Sequence, residues 1–133
     1  MPDNELISLT IAPTFSQLLE VKVLSASGLV GDENLSLMAR TFGPMPDESW
    51  EVRLSPQDAQ KLWRIIDRIE PPFAQGELLG LDGTSYGLTV RKEGADIEFS
   101  WWQTAPDEWE EPKRLFREVL RMAGPRAMPF SRR

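Results

Sequence analysis

Residues 85–102 read SYGLTVRKEGADIEFSWW. Apolar and polar residues alternate on both sides of Glu93-Gly94, a pair that suits a two-residue hairpin turn. A turn there pairs Lys92 with Ala95. It sets Val90 opposite Ile97, Leu88 opposite Phe99 and Tyr86 opposite Trp101, all six on one face. The other face receives Arg91 opposite Asp96, Thr89 opposite Glu98 and Ser85 opposite Trp102. A slip of one residue would turn the apolar set outward, so the pattern itself specifies the register. Successive strand residues point to opposite sides. The neighbours Trp101 and Trp102 are therefore predicted to lie on different surfaces. Trp101 joins the core, where large aromatics carry much of the burial energy. Trp102 has two readings. It covers the back of the hairpin beside Trp109, or it stands exposed as an anchor for a partner or a stacking ligand.

The segment after the hairpin, QTAPDEWEE at residues 103–111, leads into a predicted helix at residues 112–123. Leu115, Phe116, Val119, Leu120 and Ala123 supply its inner face, and Gly124-Pro125 ends it. Trp109 can staple the entering chain onto the sheet. Asp107, Glu108, Glu110 and Glu111 favour the helix start electrostatically. They lack the spacing of a calcium loop.

Before the hairpin, residues 5–11, 19–25, 35–42 and 50–54 alternate with the same period of two. Each reads as a strand with one buried face. Residues 26–34 form a loop. Within it, Gly31-Asp32-Glu33-Asn34 is a turn ahead of any cation site. Residues 43–48 hold two prolines and break the sheet. Ser55-Pro56-Gln57-Asp58 then carries the marks of a helix start: a capping hydroxyl, a proline at the first position and an early acid. Ala59, Leu62, Ile66 and Ile69 recur at helical spacing until Pro71-Pro72. Residues 78–81 could add a short strand. The expected fold is a single α+β domain over residues 1–133, with residues 1–4 and 125–133 frayed. Its mainly antiparallel sheet has about six strands, and two helices pack on one face in the order ββββ-α-ββ-α.

Composition narrows the chemistry. The 133 residues include no histidine and no cysteine. That removes Ser-His-Asp and Cys-His catalysis, thiolate nucleophiles, disulfides and most transition-metal sites. No phosphate-loop motif occurs. No cofactor or metal is expected. Net charge is −6. An acidic body, −5 over residues 1–70 and −7 over residues 71–112, precedes a segment of +6. Such a body repels phosphate backbones and disfavours nucleic acid. The opening MPDNELISL lacks a basic segment followed by an apolar one, which predicts no secretory signal, and no run approaches the roughly 18 apolar residues of a membrane span, so a cytoplasmic location is expected.

Residues 81–120 carry Leu81-Asp82-Gly83, Tyr86, the Trp101-Trp102 pair and Pro106 three residues before Trp109. This pattern resembles the C-terminal part of a group of small bacterial proteins with no assigned activity. The likeness spans under a third of the chain. It implies a bacterial origin and a hairpin-plus-helix module, and nothing catalytic. Small acidic proteins of this build include immunity partners of toxins, an analogy at the level of class alone.

The residues support three functional readings. The first is a non-enzymatic domain that binds another, basic protein through Trp102, Trp109, Glu98, Asp107 and Glu108. Toxin neutralisation is one case. The second is a small-molecule or carbohydrate binder that uses Trp102 and Trp109 as a stacking platform, or a carboxylate enzyme built on Glu98 and Glu51. The third is a self-associating structural domain, a homodimer with the apolar edge or Trp102 buried at the contact.

Overall fold

The period-two patterning becomes six strands in the computed structural model, which describes residues 4–13, 17–72 and 83–127. The elements run β1 (Glu5–Pro13), β2 (Leu18–Ser25), β3 (Leu35–Phe42), β4 (Ser49–Arg53), α1 (Pro56–Asp67), β5 (Thr84–Lys92), β6 (Ala95–Trp102) and α2 (Glu110–Ala123). The strands form one antiparallel sheet in the order β4-β3-β2-β1-β5-β6. This is an α+β fold. The hairpin register follows the alternation, from Lys92 opposite Ala95 to Ser85 opposite Trp102. The short strand considered at residues 78–81 lies outside the described residues.

Alternation gives the sheet one apolar face. Ile7, Leu9, Ile11, Val21, Val23, Leu37, Leu88 and Val90 are at most 1% exposed. Leu62 and Ile66 of α1 and Leu115 and Val119 of α2 join them in one core. At roughly 1.5–3 kcal/mol for each large apolar side chain removed from water, this burial dominates the fold. No helix among the described residues is long and apolar enough to cross a membrane.

Each helix begins on local signals and ends on remote ones. Ser55 Oγ accepts a bond from the Asp58 N–H at 3.1 Å, and Pro56 opens α1. The helix stops at Asp67, short of Pro71. Lys92 Nζ meets the end of it, donating to the Asp67 and Ile69 carbonyls at 2.8 Å each. The α2 helix starts at Glu110, two residues before the expected position. Pro112 is tolerated inside its first turn because those N–H groups have no intrahelical partner anyway. At the other end the Trp50 indole N–H donates to the Ala123 carbonyl at 2.8 Å. Residues 125–127, expected to fray, instead form a 3-10 turn with Ala127 fully buried and Arg126 over the Trp50 ring. Across the helix pair, Glu118 receives Lys61 and Arg121 at 2.8 Å each, and Arg121 reaches Asp58 at 3.1 Å. Partial burial opposes the Glu118 charge, but the bonds from Lys61 and Arg121 outweigh it and hold the carboxyl below its ordinary range.

Two backbone positions close the hairpin. Glu93 and Gly94 have φ of 53° and 79°, the left-handed pair that a tight primed turn requires. At the open end Gln103 also sits at positive φ, 66°. Its N–H donates to the Thr84 carbonyl and its side-chain oxygen accepts the Thr84 N–H. Gly83 sits at φ 125°, where any side chain is strained, and a Cβ there would lie 2.6 Å from the Gln103 amide and displace it.

The aromatic residues of the hairpin and α2 form one cluster. Trp101 stacks on Tyr86 at 5.5 Å and meets Phe116 and Trp109 edge-on at 5.3 and 6.1 Å. Trp109 also lies edge-on to Phe99 at 5.2 Å. Trp101 and Trp109 are 6% and 4% exposed, whereas Trp102 is only half-buried. Chemical denaturation should show losses of about 3–5 kcal/mol for Trp101→Ala and for Trp109→Ala. Trp102→Ala should cost no more than about 1–2 kcal/mol. Equal large losses at all three positions would contradict this division.

Candidate functional site

The two sides of β6 have different fates. Ile97, Phe99 and Trp101 turn toward the helices, while Glu98, Ser100 and Trp102 turn to the face that neither helix covers. Among the described residues β6 is an edge strand, paired with β5 alone. Lys92 and Ala95 close the turn as a hydrogen-bonded pair. Antiparallel alternation therefore directs the N–H and C=O groups of Glu98 and Ser100 away from β5. At Trp102 the carbonyl is taken locally by the Thr104 N–H at 2.8 Å. Asp96 is bound by Arg91 Nε at 3.2 Å, and Glu98 has no ion-pair partner among the described residues. Asp107 and Glu108 follow in the next turn, both exposed. One half-buried indole thus shares an open strand edge with an unpaired carboxylate, and two further acids stand on the turn beyond it.

Trp109 does not belong to that surface. It caps α2 from within the aromatic cluster, as the stapling reading expected, and its ring is on the helix side of the sheet. Trp102 is on the other side, so the two cannot form one stacking platform. Beside Trp109 is a recess of about 350 Å³, bordered by Glu70, Glu108, Glu110 and Glu111. Glu111 Oε1 meets Arg114 at 3.3 Å, and its Oε2 is buried without a hydrogen-bond partner.

The enzyme reading that used Glu98 and Glu51 fails on distance. Both carboxylates stand in one row across the open face, Glu51–Met38–Lys22–Ser8–Thr89–Glu98. They occupy opposite edges of the sheet. Five interstrand steps separate them by about 24 Å. Carboxylate pairs that cleave glycosidic bonds stand about 5–9.5 Å apart. No group of three or more metal-ligating side chains gathers among the described residues.

Sequence reasoning missed a cleft of about 570 Å³ at the turn end of the hairpin. Its walls are the start of β1 with Glu5 and Leu6, the 26–34 loop with Val30, the α1 face with Trp63, Ile66 and Asp67, and the β5–β6 turn with Glu93. A bulge between Glu5 and Ile7 shifts the β1–β2 register there. It leaves Glu5 only 4% exposed, with Oε1 at 3.4 Å from Lys22 Nζ. The Gly- and Asp-bearing 26–34 segment was legible as a loop, but its rigidity comes from Asp32. One carboxylate oxygen accepts bonds from Ser25 Oγ, Ser27 N and Ser27 Oγ at 2.8–2.9 Å, and the other accepts Asn34 N. Asp32 therefore organises a turn rather than holding a cation. The Trp63 indole N–H donates to the Asp32 carbonyl at 2.8 Å and ties the loop to α1. Leu29 and Val30 at the loop tip are 69% and 84% exposed.

Comparison with protein-family models, curated proteins and solved structures finds no match for this chain.

The backbone and side-chain donors around Asp32 hold its carboxyl far below the ordinary aspartate value of 3.8. A depressed folded-state pKa adds stability above the unfolded value and loses it as pH falls toward the folded one. The melting-temperature gap between the parent chain and Asp32→Ala should therefore be constant above about pH 5 and shrink below about pH 4. Thermal melts from pH 2 to pH 7 measure it. A gap that widened in acid would contradict the assignment.

Proposed function

We propose that this chain is a non-catalytic protein-docking domain of bacterial type, which takes a basic, extended segment of a partner protein along β6. The observation that carries the reading is the β6 edge, which no other described strand pairs, with Trp102 half-buried on the helix-free face and Glu98 without an ion-pair partner among the described residues. An added strand would satisfy the outward backbone groups of Glu98 and Ser100, and alternate side chains would give the selectivity. Trp102 supplies an apolar anchor of the kind that dominates binding energy at interfaces. Glu98 and Asp107 give the edge one sign of charge, with Glu108 nearby at the recess beside Trp109, and the net charge of −6 speeds encounter with a cation. Neutralisation of a basic toxin in the bacterial cytoplasm is one case of such docking.

The test is a heteronuclear NMR titration with alternating Lys/Val and Glu/Val peptides. The basic peptide should shift amides along β6 and weaken at high salt. Glu98→Lys and Trp102→Ala should each raise its Kd about tenfold, or about 1.4 kcal/mol. Equal binding of the acidic peptide, shifts remote from β6, or a parent chain that is dimeric through β6 by light scattering would defeat the reading.

A further inference from the structure

The cleft at the turn end of the hairpin lies about 24 Å along β6 from Trp102 and takes no part in the docking just described. Its lip is the tip of the 26–34 loop, where Leu29 and Val30 are 69% and 84% exposed. Single exposed apolar residues are ordinary, but an exposed pair continuous with an apolar recess marks a contact surface. The loop is braced against folding its tip into its own cleft. Asp32 accepts four bonds inside it, Trp63 ties it to α1, and Gln60 donates to Glu33 at 2.8 Å. A tip held in this way needs little further ordering when it docks.

The recess beside the tip supplies the apolar partner that Leu29 and Val30 lack. It holds about 570 Å³, and Leu6, Ile66 and the Trp63 ring line it. Knob and hole therefore share one patch of surface. A contact between identical copies about a two-fold axis requires this, because the same patch must serve both sides.

The charges of the patch also match a copy of itself. With a net charge of −6 the chain repels its own kind at long range. The cleft wall, however, sets Arg64, Arg91 and Lys92 against Glu5, Asp67 and Glu93, so no excess of either sign opposes contact there. Arg91 binds Asp96, Lys92 binds the α1 carbonyls and Glu5 binds Lys22. Arg64, Asp67 and Glu93 are exposed, with no ion-pair partner among the described residues. A second copy carries both signs at its own rim, carboxylates for Arg64 and a guanidinium for Asp67 or Glu93. An ion of one sign answers only half of that set.

We infer that this patch is a self-docking surface, on which two copies pair about a two-fold axis with the Leu29-Val30 tip of each seated in the cleft of the other, against Trp63 and Ile66. The contact is small, so the dimer is weak, with Kd on the order of 100 µM. A two-fold contact closes on itself, and assembly stops at two chains of 15.1 kDa. The β6 edge lies outside the contact.

Sedimentation equilibrium of the full chain from about 10 µM to about 1 mM tests this. The mass should rise from one chain toward two and no further. The double variant Leu29→Ser, Val30→Ser changes two exposed side chains and no charge, and its circular dichroism spectrum should match the parent's. Its dimer Kd should be at least about tenfold higher. Trp102→Ala should pair as the parent does. In a mixture of carbon-13-labelled and unlabelled chains, isotope-filtered NOEs should join the Val30 methyls of one copy to the Trp63 ring of the other. A parent mass of one chain throughout overturns the inference and leaves the β6 reading standing. Growth beyond two chains, or a double variant that pairs as tightly as the parent, overturns it as well. A dimer lost in Trp102→Ala would defeat both readings.

Discussion

Trp101 holds the molecule's second half together. It stacks on Tyr86 across the hairpin and meets Phe116 of α2 and Trp109 of the connecting turn edge-on. Three separate pieces of chain converge on that one ring. Aromatic pairs in these geometries contribute about 0.5–1.5 kcal/mol each beyond the area they bury. The position of Trp101 also fixes that of Trp102, because a strand cannot send neighbouring side chains the same way. The cluster on one side of the sheet thus sets the half-buried indole on the other.

The first half is secured differently. Its strands bury aliphatic residues, and its helix, capped locally by Ser55, is closed at the other end by a distant group. Lys92 closes α1 from the hairpin, and Trp50 closes α2 from the edge strand β4. These bonds, with the Lys61–Glu118–Arg121–Asp58 set between the helices, couple the two halves. The surface ion pairs add little each. The two capping donors matter more, since they satisfy carbonyls that the helices leave open. One consequence is the cleft, whose loop wall is held by Trp63 and Asp32 and whose hairpin wall is tied to α1 by Lys92.

Much of the fold was legible because its signals are local. The register of residues 85–102 followed from alternation alone, and the start of α1 followed from Ser55 and Pro56. What escaped was remote or irregular. Lys92 reaches carbonyls more than twenty residues away, and Trp50 reaches one 73 residues away. No spacing rule encodes either bond. The bulge beside Glu5 leaves no mark in ELISLTI, so the buried carboxylate and the cleft behind it were invisible. For the candidate surface, alternation placed Trp102 and Glu98 on the side of β6 away from the helices. Trp109 needed the fold itself, because a tryptophan before a helix can staple inward or face outward, and here α2 and Phe99 draw it in. Glu51 and Glu98 read alike in sequence, yet strand order set them at opposite edges.

β6 divides its two adjacent indoles between a packed face and an open one. Labelling the chain with 5-fluorotryptophan and adding a soluble paramagnetic quencher tests this directly by fluorine NMR, with each resonance assigned by a single Trp→Phe substitution. The Trp102 resonance should broaden strongly while those of Trp101 and Trp109 stay sharp. Equal broadening of Trp101 and Trp102, or equal protection of both, would contradict it.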